Sequence, residues 1–126
     1  MRRSYGVYHY WWNGSAVENR AITAANQVIG VPTVVRTTGN RLNVFVRAHP
    51  SNTSYTANSL LHMTSIGGTN SWAVAGVGQQ AITDFPSAVV DNAGETRVYA
   101  RSETGELLEA RYHSGGWNWS TISTVG

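Results

Sequence analysis

Apolar and polar residues alternate along this chain in short runs with a period of two, the pattern of half-buried strands. The three- and four-residue spacing of a helix appears only weakly, from Ala21 to Ile29, where Thr23 and Asn26 dilute it. Thr96 to Ser102 and Glu106 to Tyr112 read as two strands joined by Glu103-Thr104-Gly105, a three-residue loop with glycine where a left-handed conformation is needed. In that hairpin Tyr99 faces Glu109, and Arg97 and Arg101 lie diagonal to Glu109, roughly 7–8 Å away and within reach of long side chains. Gly39-Asn40, Asp91-Asn92-Ala93-Gly94 and His113-Ser114-Gly115-Gly116 supply further turns, the last leading straight into Trp117 and Trp119.

The runs recur. Val31-Pro32-Thr33-Val34-Val35 returns as Phe85-Pro86-Ser87-Ala88-Val89-Val90 with its proline 54 positions on, and the same offset carries Val44-Phe45-Val46-Arg47 onto Val98-Tyr99-Ala100-Arg101. Leu60-Leu61-His62-Met63 matches Leu107-Leu108-Glu109-Ala110 at 47, and Trp72 matches Trp117 at 45, with extra residues of the earlier copy accommodated between Pro50 and Asn58. Val7-Tyr8-His9-Tyr10-Trp11-Trp12-Asn13-Gly14 resembles Leu108 to Gly115. The expected organisation is a single all-β domain over residues 1–126, with a half unit at 1–30 and full units at 31–84 and 85–126. Units of this length with four short antiparallel strands are the blades of a β-propeller, since one blade cannot bury both faces alone. About two and a half blades do not close a ring, so the chain is expected to form a homo-oligomer that completes one, or to be a segment of a longer chain.

Composition narrows the function. With 41% hydrophobic and 13% charged residues the chain is a folded domain, not a disordered tail. Its cations are nine arginines and no lysine, scattered with no run longer than Arg2-Arg3, which argues against nucleic acid as a partner. The absence of cysteine removes disulfides, thiolate chemistry and cysteine-bound zinc. Ser4 to Trp12 holds aromatic residues where a signal peptide would carry a Leu/Ala-rich stretch, and no window predicts a membrane span; a secreted or cell-surface role remains compatible with this.

A guanidinium beside a carboxylate offers donors and acceptors to vicinal hydroxyls, and an aromatic ring covers the C–H face of a sugar. Arg97 and Glu109 with a nearby tryptophan could do this; the plainer alternative is a surface ion pair and tryptophans that wedge sheets together. Arg97-Val98-Tyr99, Gly105 to Tyr112 and Gly116-Trp117 resemble the blade motif of fucose-binding β-propeller lectins of the fungal and two-blade bacterial type. Asn40 to Arg47 and Tyr8 to Gly14 are similar to blades of the PLL-type seven-bladed bacterial lectins. The resemblance implies a carbohydrate-binding lectin for glycans or monosaccharides, fucose or a relative favoured. Arg97 and Glu109 would be its polar ligands, with Tyr112, Trp117, Trp72 and Trp12 as the aromatic positions, the stacking ring coming from the adjacent blade. The middle unit departs from this pattern, with Asn43 and His62 where the last has Arg97 and Glu109, and is expected to bind differently or not at all. Tyr112 also stands where the motif often has tryptophan.

Catalytic motifs are wanting. His9, His49, His62 and His113 have no metal-site spacing and read as solvent-facing strand or turn residues; there is no Gly-x-Ser-x-Gly elbow and no lysine for a phosphate loop. Glycoside hydrolysis needs two convergent carboxyls, whereas Asp91, Glu95, Glu103 and Glu106 fall in or beside turns. The expectation is a non-enzyme without cofactor or metal. The alternatives are a propeller scaffold for protein interaction and, less favoured, a fragment of a propeller glycosidase.

Overall fold

The run Val44-Phe45-Val46 is apolar without alternation, which a strand tolerates only when both its faces are covered. The computed structural model describes residues 7–12, 14–21, 27–37, 41–66 and 71–123, with side chains at all of these except 8–12, 17–21, 66, 71, 84 and 123. Among the described residues every regular element is a β-strand. The Gly39-Asn40 turn and most of the weakly helical run lie outside them.

Strands β1 (Tyr8–Trp12) and β2 (Val17–Ala21) form a hairpin. From β3 (Val28–Thr37) the chain runs as an antiparallel meander through β4 (Arg41–Ala48), β5 (Ser59–Ile66), β6 (Ser71–Val90), β7 (Thr96–Ser102), β8 (Leu107–His113) and β9 (Gly116–Ser123). The 20-residue β6 serves twice: residues 71–76 pair chiefly with β5, and residues 82–90 pair with β7. The result is a middle sheet, β3-β4-β5-β6, and a last sheet, β6-β7-β8-β9.

The pairings of the two sheets fall in one register. Ile29↔Arg47 and Thr33↔Phe45 in the middle sheet correspond to Thr83↔Arg101 and Ser87↔Tyr99 in the last, each member displaced by 54. Both ladders slip between those pairs, where Pro32 and Pro86 have no N–H to give. Phe45↔His62 likewise matches Tyr99↔Glu109. The β8–β9 hairpin turns in two residues, Ser114 and Gly115, both at positive φ as a tight turn between twisted strands requires.

The middle sheet is buried on both sides. Val44, Val46, Ala48, Leu61 and Met63 pack with Val7 and Val28 on one face, flanked by Tyr55 and Trp72. Phe45 and Leu60 point the other way and meet Val77, Ile82, Val98, Ala100 and Ala110, with Trp117 and Trp119 closing the edge. This second cluster locks the two sheets face to face, and Ala88 N–H donates across to Thr33 Oγ1. The far face of the last sheet has no such cover: Phe85, Val89 and Leu107 are exposed.

Candidate functional site

Between the two sheets lies a cavity of about 510 Å³, within the size range of small-ligand sites. Its polar wall comes from the start of β4 and the middle of β5, and its aromatic wall from the β8–β9 hairpin. Phe45 is fully buried, and because His62 is its cross-strand neighbour, the imidazole is carried onto the same face. The two rings stack at 4.7 Å and 8°. Trp117 meets both edge-on, at 5.5 Å from Phe45 and 5.8 Å from His62, and Tyr112 meets Trp117 at 5.2 Å.

Asn43 orients this wall. Its Nδ2 donates to Thr37 Oγ1 at 2.9 Å, which turns Oδ1 toward His62 Nε2 at 2.7 Å. Nε2 must then carry the imidazole proton, leaving Nδ1 as an acceptor. Burial pushes the His62 pKa down from 6.5 to about 4, so the pair is neutral at physiological pH. The expectation of a solvent-facing histidine at 62 is therefore corrected: strand parity turns it inward with Leu60, toward the last sheet.

This burial has a pH consequence. The unfolded chain protonates His62 near 6.5 and the folded one near 4, so its contribution to stability is complete above 6.5 and is lost as pH falls toward 4. The loss over that interval is at most about 3 kcal/mol. Denaturant midpoints measured from pH 7.5 to 4 should fall for the native chain and fall less for His62→Gln; parallel curves would contradict a buried neutral imidazole.

The predicted charged pair forms on the far face of the last sheet. Arg97 Nη1 donates to Glu109 at 3.3 Å, and its Nε to Asp91 Oδ2 at 2.9 Å. Asp91 Oδ1 accepts from the amides of Ala93 and Glu95, so one carboxylate both closes the turn and steadies the guanidinium. The Glu95 amide and then Arg97 hold the Asp91 carboxyl below the usual range. Both acids raise Arg97, and the hydrogen bond to Glu109 raises Tyr99. Beside this cluster Glu95 bridges His113 and, at 2.6 Å, Arg111, and the hydrogen bonds from His113 and then Arg111 hold it below the usual carboxylate range.

Of the six residues singled out from sequence, Arg97 and Glu109 come together, and Tyr112 and Trp117 come together on the opposite face of the same sheet. Trp72 packs on the other side of the middle sheet, against the cluster containing Met63. The Trp12 side chain lies outside the described residues. Trp117 instead meets His62, which with its hydrogen-bond partner Asn43 occupies the positions that correspond to Glu109 and Arg97. The sequence carried that signal in the offsets of 54 and 47, which place a second polar pair where the first was recognised. Among the described residues no group of three His, Asp or Glu side chains could hold a metal ion.

No family model matches the chain, and no curated protein matches it. Among solved structures it is similar to that of a fucose lectin from Kordia zhangzhouensis in complex with methyl-fucoside, with a TM-score of 0.52 and 14% sequence identity, over 95% of this chain and 90% of that one. The likeness is one of fold: the chain shares the all-β, antiparallel architecture of that structure.

Proposed function

We propose that this protein is a carbohydrate-binding lectin that holds saccharides between adjacent sheets of a β-propeller. One observation carries the reading: equivalent positions of two successive sheets both hold a hydrogen-bonded polar pair, Asn43–His62 and Arg97–Glu109, and the first lies under Trp117 of the following sheet. Polar groups that fix hydroxyls and a ring that covers C–H bonds are what a sugar site needs. The fucose lectin with a related fold, solved with methyl-fucoside, supports the ligand class, and fucose or a related sugar is the favoured occupant of the Arg97–Glu109 half-site.

The rings that line the inter-sheet pocket, Tyr112 and Trp117, lie on the opposite face of the last sheet from that half-site. In the middle sheet the corresponding face, around Phe45, is covered by the next sheet; in the last sheet Tyr99, Phe85 and Leu107 await a cover of the same kind. A further copy of the chain, stacking as the last sheet stacks on the middle one, completes the ring and brings an aromatic to Arg97 and Glu109. Residues 1–30, 31–84 and 85–126 are then a half blade and two blades.

Catalysis has less support than binding. A glycosidase acid must be protonated near neutral pH, and Asp91, the carboxylate that shares Arg97 with Glu109, is shifted the opposite way.

Titration calorimetry with methyl-fucoside, together with a glycan array, tests the proposal. Arg97→Ala and Glu109→Ala should each abolish binding at the open-face site, and Trp117→Phe should weaken the inter-sheet site about tenfold. A silent array would favour the protein-interaction scaffold. A defined multimer in solution would support a ring shared between copies, and a monomeric mass would favour the alternative of a segment of a longer chain.

A further inference from the structure

The inter-sheet pocket and the open-face cluster carry opposite electrostatic bias. On the open face one guanidinium, Arg97, is shared by two carboxylates, Asp91 and Glu109. Among the described residues the cavity, by contrast, is lined by no aspartate or glutamate, and its one formally charged lining residue is Arg41 at the start of β4. Arg41 is exposed, and among the described residues the arginine ion pairs belong to Arg97 and Arg111, not to it. Glu95, next to the lining residues Gly94 and Thr96, is already taken by Arg111 and His113. His62, deeper in the wall, is neutral.

We propose that the inter-sheet pocket selects a saccharide unit bearing a carboxylate, a uronic or sialic acid type of sugar, with the carboxylate on Arg41 and the ring against Trp117 and Tyr112. The inference rests on the saccharide reading above and adds the ligand class for this one site. The planar guanidinium matches a carboxylate through two parallel N–H···O bonds, and a rim position lets it do so without a buried charge. His62 Nδ1, left as an acceptor by the bond to Asn43, and the Thr64 hydroxyl remain for the sugar hydroxyls. Two lectin sites in one chain thereby differ in kind: one neutral-walled with a cation that has no ion pair among the described residues, the other built around a cation shared by two carboxylates.

The test compares methyl β-glucuronide with methyl β-glucoside, which differ in the charged group at C6, by calorimetry on the full chain at low ionic strength. The glucuronide is expected to bind about five- to tenfold more tightly, with the advantage shrinking in 0.5 M salt. Arg41→Gln should bring the two ligands to equal affinity, while Arg101→Gln, which removes the same charge from the far face of the last sheet, should preserve the ratio. Equal affinities in the native chain, a ratio that survives Arg41→Gln, a ratio that collapses equally in Arg101→Gln, or acetate alone competing as well as the glucuronide would each overturn the proposal. If methyl-fucoside and both glucosides fail to bind, the lectin reading itself falls; if methyl-fucoside binds and the glucuronide shows no advantage, only the present inference does.

Discussion

Phe45→Ala is expected to destabilise the fold by about 3–5 kcal/mol, the range for emptying a buried phenylalanine site. Phe45 is fully buried and touches both sheets: it lies under His62, meets the edge of Trp117, and belongs to the cluster with Val77, Ile82 and Val98. The backbone of three paired strands limits how far the surroundings can collapse into the vacated volume. Denaturant unfolding at one fixed protein concentration reads the change, and a loss below about 1 kcal/mol would show that the sheet contact is not the main core. Tyr99 occupies the corresponding position of the last sheet and is only half-buried. Tyr99→Ala should cost far less in a monomer and a comparable amount in a closed ring, so the pair of variants also reports on assembly.

Gly78→Ala should be nearly as damaging, at about 3 kcal/mol, from two causes that act together. The backbone at Gly78 has φ +73°, where a side chain is strained, and an added Cβ would lie 2.8 Å from Trp119 Nε1. That indole nitrogen donates to Val77 O at 2.9 Å, tying β9 to the bend of β6, so relieving the overlap means breaking the bond. Gly94→Ala is a useful comparison, since its φ is +82° but nothing lies within 4 Å of the new Cβ. Strain alone should make it milder; equal losses in the two variants would rule out the Trp119 contact as the source.

Much of the architecture could be read from the chain because it is written locally. The Glu103-Thr104-Gly105 loop fixes the β7–β8 register, and Ser102 N–H indeed donates to Glu106 O, with Tyr99 facing Glu109. The offset of 54 between Pro32 and Pro86 reappears as two ladders that slip at the same place. What could not be read is which face of one sheet meets which face of the next, because that contact involves residues with no fixed sequence separation. The resemblance takes the stacking ring from an adjacent blade without saying which blade Trp117 faces, and the structure turns it away from Arg97 and Glu109 and into contact with His62 of the middle sheet. His62 itself looked like a missing glutamate. The stacking on Phe45 and the bond that Nε2 donates to Asn43, both across the β4–β5 ladder, show it as half of a polar pair.

The continuous course of β6 has a consequence for how a ligand would be received. A single strand hydrogen-bonded to β5 through its first residues and to β7 through its last joins the two walls of the cavity through backbone, with Trp119 clamped over the bend. Walls tied in this way through one strand are held at a set spacing, which would leave less conformational entropy to be lost on capture. On the proposed reading, recognition would be that of a preorganised slot, in which selectivity comes from fit and not from closure.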